Sequence, residues 1–191
     1  MVLVSEQELI TGARAGQVVS FPTDTVPALA VQPELGDSIY RLKQRSRTKP
    51  LILLGSSIED LLPYVRYSDA ELKIWRDLML QHLPGALTLV LPASERVPTA
   101  INNTDANTVG IRIPDCDTAL KILKHTGALA TSSANLSGKE TLIAQSAIDC
   151  AFPSVLVLET MDADSGSGLP STVIRWKEQQ WKILRQGNII I

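Results

Sequence analysis

The stretch of residues 128–138 places the strongest constraint on how this chain can fold. It begins as a short apolar strand and then changes abruptly to small hydroxyl and amide residues, with a glycine at its exit. Such a segment brings backbone N–H groups and hydroxyls to one end of a sheet, where an oxyanion or a polar small molecule can bind. A simple polar loop is the alternative interpretation.

A dense group of cations lies upstream, where Lys43, Arg45, Arg47 and Lys49 fall within seven residues without an acid among them. A chain with a net charge of only -2 has no global reason to concentrate positive charge there, whereas an anion bound in a cleft would supply one. The alternative is attraction to the C-terminal end of a helix that Asp37 is predicted to cap. That attraction explains one or two of the cations better than four.

Length and charge set further limits. The 191 residues, 45% of them hydrophobic, predict one domain spanning residues 1–191. With 18 basic against 20 acidic residues the chain is not a polycation, so any contact with nucleic acid needs a local patch. The scattered Cys116, Cys150, His82 and His125 do not have the spacing of a metal site or a disulfide framework. Because neither a secretory signal nor an apolar run of about 18 residues is visible, we expect a cytoplasmic protein without a membrane segment.

Strands and helices alternate along the chain. Capping boxes at Ser5 with Glu8 and at Ser68 with Glu71 predict the starts of two helices, and Ser57 predicts a third. Further helices are predicted from Asp37, from Asp117 and over residues 141–152. Strands are predicted over residues 17–21, 51–55, 86–91, 108–114 and 155–158 and after residue 128, with a hairpin over 171–176 and 181–184.

The alternating strand 108–114 carries an arginine. Thr108, Gly110 and Arg112 share one face, and an arginine inside a buried strand needs a partner because an unpaired buried charge is costly. Either this is an edge strand that meets solvent, or Arg112 holds a carboxylate in a cleft, for which its planar fork is suited.

Two loops are further candidates for ligand binding. Thr23, Asp24 and Thr25 follow a strand end, where α/β sheets often carry ligand groups, although the flanking prolines also fit an ordinary turn. Residues 162–168 are rich in glycine and serine, but they have neither the Walker lysine nor a dinucleotide fingerprint, so the pattern predicts a mobile loop.

The ordered set of motifs along the chain resembles the YrdC-type threonylcarbamoyl-AMP synthase family, in its short, single-domain form. The resemblance covers nearly the whole chain, and its specificity comes from the order of the pieces. They are Pro22-Thr23-Asp24-Thr25, Lys43-Gln44-Arg45, Pro50-Leu51-Ile52, Pro84-Gly85-Ala86-Leu87-Thr88, Gly110-Ile111-Arg112-Ile113-Pro114, Ser132-Ser133-Ala134-Asn135-Leu136-Ser137-Gly138, Pro170-Ser171-Thr172-Val173-Ile174 and Leu184-Arg185-Gln186-Gly187.

The resemblance implies an α/β fold, a twisted open mixed sheet with flanking helices and a large basic groove. It implies a nucleotidyltransferase that joins L-threonine, bicarbonate and ATP into threonylcarbamoyl-AMP and releases pyrophosphate, with Mg²⁺ carried by the nucleotide phosphates and no protein metal site. The product would pass to a tRNA threonylcarbamoyl transferase that modifies adenosine 37. Direct binding of tRNA or structured RNA is left open.

Position by position, the resemblance also implies roles for residues. Lys43, Arg45, Ser133 and Asn135 match the Lys-x-Arg and Ser-x-Asn elements of the catalytic centre. Threonine-site positions are Thr25, Arg112 and Ser171, with Thr131 a weaker candidate. Nucleotide-site positions are Lys49, Thr108, Thr141 and Arg185, together with Arg45 and Asn135.

The chain departs from the family pattern at three places. Val26-Pro27-Ala28-Leu29 replaces the frequent Val-Tyr-Gly-Leu, Leu54 stands where some relatives have histidine, and Arg175 replaces a frequent aspartate and has no assigned role. Two other functions fit the same residues: a paralogue with this fold but without synthase activity, or an RNA-binding module. With aromatic residues at only 4%, the second lacks an evident stacking platform.

Overall fold

The computed structural model describes residues 3–102, 104–160 and 166–191. Its strands are β1 (Leu3–Val4), β2 (Val19–Phe21), β3 (Ala28–Val31), β4 (Ile52–Leu54), β5 (Leu87–Pro92), β6 (Thr108–Arg112), β7 (Leu129–Ser133), β8 (Leu156–Leu158), β9 (Thr172–Lys177) and β10 (Gln180–Arg185). Its helices are α1 (Glu6–Arg14), α2 (Asp37–Lys43), α3 (Ile58–Leu61), α4 (Asp69–His82), α5 (Asp117–Thr126) and α6 (Gln145–Ala151), with 3₁₀ turns at Pro33–Leu35 and Leu62–Tyr64.

These strands form one open mixed sheet in the order β1-β8-β2-β3-β7-β4-β6-β5-β9-β10. β4 and β6 are parallel, as are β5 and β9, whereas β7 is antiparallel to both of its neighbours, β3 and β4. The predicted fold class is therefore confirmed. The mixed directions bring Thr23 and Thr25, which follow β2, and Ser133, which ends β7, to the walls of the same cavity.

The helix starts follow local side-chain chemistry. Both predicted capping boxes are present, with Ser5 and Ser68 each accepting a hydrogen bond from the backbone N–H of the glutamate three residues on. The predicted cap at Asp37 is wrong, because Gly36 is the N-cap of α2 and Asp37 is its first helical residue. The helix predicted over residues 141–152 begins only at Gln145, because residues 141–144 are irregular.

The two faces of the central strands have different environments. One face carries an apolar row, Ala130, Leu53, Ile111, Leu89 and Ile174, which packs in a core with Trp75 and Met79 of α4. The other face lines a cavity. Within the described ranges no helix has both the length and the apolar character needed to cross a membrane.

Candidate active site

A cavity of about 600 Å³ opens on the polar face of the sheet. Its floor is a row of residues paired across five strands: Thr131, Ile52, Gly110, Val90 and Arg175. Adjacent strands lie about 4.8 Å apart, so this row extends for roughly 19 Å. That length and volume suit a nucleotide together with a small partner molecule.

Lys43 is fully buried behind the cavity wall formed by Ser132 and Ser133. Its ammonium donates to Ser132 Oγ over 2.8 Å, to the carbonyl oxygen of Ser133, and to Asn135 Oδ1 over 3.1 Å. Ser133 Oγ donates to the same Asn135 oxygen over 2.6 Å. The structure thus brings Lys43, Ser133 and Asn135 together, although Lys43 holds the wall from behind instead of forming part of it.

Burial, together with the smaller effect of the nearby positive charge of Arg45, lowers the pKa of Lys43 to about 7. The ammonium therefore has a titration range near neutral pH. An anion that entered the cavity beside Ser133 would stabilise the charged form and raise this pKa again.

The four clustered cations separate in the structure. Arg45 lies on the cavity wall, held by hydrogen bonds from Nε to the Lys49 carbonyl (3.0 Å) and from Nη2 to the Pro50 carbonyl (3.1 Å). Burial lowers the pKa of Arg45. Arg47 instead pairs with Asp37 over 2.8 Å and lies over the ring of Tyr40. Lys49 is exposed and lies outside the cavity lining, so a bound anion cannot be the single reason for all four cations.

Arg112 lies on a central strand, since β6 runs between β4 and β5, and the edge-strand interpretation is wrong. Its guanidinium is almost completely buried and lines the cavity. It donates to Asp24 Oδ1 over 2.5 Å, to Thr25 Oγ1 over 2.8 Å and to the Gly85 carbonyl over 3.0 Å. Burial lowers the pKa of Arg112, and the Asp24 carboxylate opposes that effect. The required carboxylate is thus supplied by the chain itself.

A second arginine borders the same region of the cavity. Arg185, at the end of β10, donates from Nη2 and Nε to the Ser171 carbonyl over 2.8 and 3.2 Å, and burial lowers its pKa. Ser171 Oγ lies 2.9 Å from Thr88 Oγ1. Arg185, Ser171 and Thr88 all line the cavity.

The threonines from the motif matching also face this space. Thr25, Thr108, Thr131 and Thr141 are all lining residues. Thr131 donates to the Ile52 carbonyl over 3.3 Å, and Thr108 Oγ1 accepts from Asn102 Nδ2 over 3.0 Å. Leu54, Pro27 and Ala28, three of the departures from the family pattern, line the cavity as well, so these replacements bear directly on its shape.

Part of the glycine- and serine-rich loop is hydrogen-bonded to the segment Asp24–Thr25 at the edge of the cavity. Ser167 and Gly168 donate backbone hydrogen bonds to the carbonyls of Asp24 and Thr25 over 3.0 and 2.9 Å. Gly166 has a φ of 89°, and a Cβ there would lie 2.4 Å from the Thr25 carbonyl oxygen, so only glycine fits. The rest of the predicted mobile loop, residues 162–165, lies outside the described residues.

Sequence reasoning missed two carboxylates. Asp24 was noted as a possible ligand group after a strand end, but not as the partner of Arg112. Asp105, which pairs with Arg175 over 2.8 Å at the end of the cavity floor, was not considered. Asp24 lies 88 residues from Arg112 and Asp105 lies 70 from Arg175. The one available signal was that a buried arginine on a strand needs a charged partner, and this could have suggested a search for a carboxylate such as Asp24.

The lining is strongly basic. Arg45, Arg112, Arg175 and Arg185 lie on it, against Asp105 as the one acidic residue among the described lining residues. Across the described ranges no group of three or more His, Cys, Asp or Glu side chains is placed to hold a metal ion. The arrangement is suited to binding a polyanion beside a smaller carboxylate ligand.

Comparison with known proteins is consistent with this geometry. The Sua5_yciO_yrdC family model, described as "Telomere recombination", matches residues 12–187. The chain belongs to the Sua5/YciO/YrdC family. A threonylcarbamoyl-AMP synthase of Vibrio parahaemolyticus is 30% identical over 95% of this chain and 98% of that relative. One from Bacillus subtilis is 31% identical over 92% of this chain, which spans 51% of that longer protein.

Solved structures of the Sua5/YciO/YrdC family share the fold. Pyrococcus abyssi Sua5 complexed with L-threonine superposes with a TM-score of 0.82 at 31% identity, over 96% of this chain and 55% of that one. Escherichia coli YciO superposes with a TM-score of 0.81 over 95% of this chain and 88% of that one. At 21% identity, YciO supports the fold alone.

Proposed function

We propose that this chain is a threonylcarbamoyl-AMP synthase, a nucleotidyltransferase that makes threonylcarbamoyl-AMP and pyrophosphate from L-threonine, bicarbonate and ATP. The observation that carries the proposal is the convergence of Arg45, Arg112 and Arg185 with the Ser132–Ser133 wall around one cavity. The name shared by the relatives from Vibrio parahaemolyticus and Bacillus subtilis supports it.

Threonine would bind near Arg112. An arginine has five N–H donors, and Arg112 gives three of them to Gly85, Thr25 and Asp24, which fix its orientation. The two N–H donors that remain would bind the threonine carboxylate beside Asp24. Hydroxyls of Thr25, Thr131 and Ser171 and the apolar side chain of Leu54 complete a small mixed pocket. The L-threonine complex of the Pyrococcus abyssi relative supports a threonine site in this fold.

The ATP phosphates would bind between Arg45, Arg185 and the Ser133 end of β7. Thr108 and Thr141 are on the lining, and Lys49 lies in the chain between the lining residues Thr48 and Pro50. We assign Thr108, Thr141 and Lys49 to the nucleotide as well. Lys43 and Asn135 act from behind the wall, where they fix the Ser132–Ser133 backbone and supply positive charge.

The chemistry needs positioning and charge neutralisation more than a nucleophilic side chain. The threonine nitrogen attacks the carbonate carbon, and loss of water leaves a carbamate. A carbamate oxygen then attacks the α-phosphorus of ATP in line, and the bond to pyrophosphate breaks. The arginines and the Ser133 region neutralise the charge that develops on the phosphates.

Magnesium would enter with ATP, held by phosphate oxygens and water. The donor set fits that role, because Asp24 and Asp105 are already paired with arginines while hydroxyls remain on the lining. When bound, the ion would neutralise phosphate charge. We further propose that the product passes to a tRNA threonylcarbamoyl transferase in the cytoplasm and that residues 1–191 form one functional domain.

The test is pyrophosphate release from ATP with threonine and bicarbonate each omitted in turn. Release that requires both supports the synthase, and release that requires neither contradicts it. Arg45→Ala should abolish release without loss of fold. Arg41→Ala, in the exposed last turn of α2, is the matched cation control and should behave like the unaltered protein.

A further inference from the structure

Arg175 and Asp105 close one end of the cavity floor, and Thr131 lies at the other end of the same row of paired residues. Arg175 Nη2 donates to Asp105 Oδ2 over 2.8 Å, and both side chains line the cavity with about a third of their surface exposed. The pair therefore presents a donor and an acceptor side by side to whatever occupies that end.

Asp105 is held in place by its neighbours. Its backbone N–H donates to Asn102 Oδ1 over 3.0 Å, and its carbonyl accepts from Thr108 N and Thr108 Oγ1 over 3.0 and 3.2 Å. Asn102 in turn donates to the carbonyl and hydroxyl of Thr108. These bonds fix the backbone of Asp105, and its carboxylate is held by Arg175 and by the backbone N–H of Asn107, which donates to Oδ1 over 3.3 Å. The carboxylate is therefore in place before a ligand arrives, which is what recognition of a rigid planar group requires.

Arg175 is not fully satisfied by its carboxylate. Its Nε is shielded from solvent and has no hydrogen-bond partner among the described residues. A buried donor without a partner is unfavourable. A ligand acceptor would therefore bind favourably if the guanidinium of Arg175 could turn to donate a hydrogen bond to it.

The floor beside the pair is apolar. Gly110 lies between Ile52 and Val90 in the row that ends at Arg175. A Cβ at Gly110 would lie 2.8 Å from Ile52 Cγ2, so the absence of a side chain at Gly110 lets the Ile52 side chain lie over it, and an aromatic ring can pack on this apolar floor.

We propose that Arg175 and Asp105 read the N6–N7 edge of the adenine base and select ATP over GTP. Adenine presents the N6 amino donor beside the N7 acceptor, which complements a carboxylate beside a guanidinium. Guanine presents two acceptors, O6 and N7, on the same edge, so its O6 would face the Asp105 carboxylate. This inference rests on the ATP site of the proposed function and names the residues that give it base selectivity.

The test is calorimetric binding of ATP, 7-deaza-ATP, GTP and tripolyphosphate to the full chain, without threonine or bicarbonate. The unaltered protein should bind ATP about tenfold more tightly than 7-deaza-ATP and GTP, the lower end of what a bidentate base contact gives. Arg175→Met should remove the preference for ATP over 7-deaza-ATP, and Asp105→Asn should narrow the preference over GTP. Neither variant should change tripolyphosphate binding.

Lys182→Met provides the matched control, because Lys182 pairs with Arg175 in the strand register but contacts Glu178 and lies outside the cavity lining. It should leave all four affinities unchanged. Equal affinities for ATP and 7-deaza-ATP in the unaltered protein, or unchanged ratios in both folded variants, overturn the inference. So does a parallel loss of tripolyphosphate binding.

Failure of the inference can be told apart from failure of the synthase proposal. If pyrophosphate release depends on threonine and bicarbonate but the variants keep the base selectivity of the unaltered protein, adenine recognition by Arg175 and Asp105 is overturned and the synthase proposal stands. If the predicted base selectivity is found but no such pyrophosphate release occurs, the synthase proposal is overturned and adenine recognition by Arg175 and Asp105 is still supported. Melting curves identify a variant that fails to fold, and in that case the other variant decides.

Discussion

The ammonium of Lys43 lies 3.1 Å from Asn135 Oδ1, although the two residues are 92 positions apart in the chain. This contact ties the end of α2 to the turn that follows β7. The Lys43 carbonyl also accepts a hydrogen bond from the backbone N–H of Ser137 over 3.1 Å. The Ser132–Ser133 wall is therefore built on a buried cation, and its geometry depends on that cation.

Lys43→Met should abolish pyrophosphate release while the chain still folds. Methionine keeps much of the side-chain volume and removes a buried charge, which proteins often tolerate, but the hydrogen bonds that fix Ser132, Ser133 and Asn135 are lost. Pyrophosphate release and a thermal melt measure the two effects. Arg41→Met, exposed on the same helix, should change neither, and full activity of Lys43→Met would remove Lys43 from the site.

The Lys43 pKa predicts a pH dependence of stability. The pKa is about 7 in the folded protein against an ordinary value of 10.5, so the unfolded chain binds more protons between these values. Stability from this group therefore rises with pH above about 7, by at most about 1.4 kcal/mol per pH unit. Below pH 7 the full penalty of the buried charge is present.

Urea unfolding of the unaltered protein and of Lys43→Met between pH 6 and 9 measures this effect. The difference in free energy of unfolding between the two should shift in favour of the unaltered protein as pH rises. A difference that stays constant would show that Lys43 keeps its ordinary pKa in the fold, and a shift the other way would also contradict the lowered pKa.

Asp24→Ala should destabilise the protein by about 3 to 5 kcal/mol, because it leaves the buried guanidinium of Arg112 without its carboxylate. Denaturant unfolding gives this number. Glu59→Ala is the control, since its 3.7 Å pair with Arg76 is exposed and should be worth at most about 1 kcal/mol. An effect of Asp24→Ala no larger than that of Glu59→Ala would contradict a buried ion pair.

Gly110→Val should weaken ATP binding strongly. Its Cβ would lie 2.8 Å from Ile52 Cγ2, and the added methyl groups would occupy the cavity floor. Calorimetric titration with ATP measures the loss, which we expect to reach at least about tenfold. Threonine binding near Arg112 should change less, and an unchanged ATP affinity would show that the nucleotide does not lie on this floor.

Local signals predicted much of the fold. Capping boxes located α1 and α4, and the alternation of Thr108, Gly110 and Arg112 correctly placed these three residues on one face. β3 was not predicted, because its four residues are all apolar, directly follow Pro27 and show no alternating pattern. Asp37 was taken for a cap, but its carboxylate pairs with Arg47.

The pairings across the site could not be predicted from spacing. The sequence gives no local sign that Asp24 neutralises Arg112. It also does not indicate that Arg47 forms an ion pair with Asp37 while Arg45 lies on the cavity wall. These outcomes depend on the strand order, which brings distant loops together. The local cation cluster and the motif order indicated a basic site, and only the packed sheet shows which cations face it.

The most direct test of the central claim is mass spectrometry of the product formed from ATP, L-threonine and ¹³C-bicarbonate. The account predicts threonylcarbamoyl-AMP that carries the heavy carbon, formed together with an equal amount of pyrophosphate. Formation of ADP or free AMP alone, or a product without the heavy carbon, would contradict it.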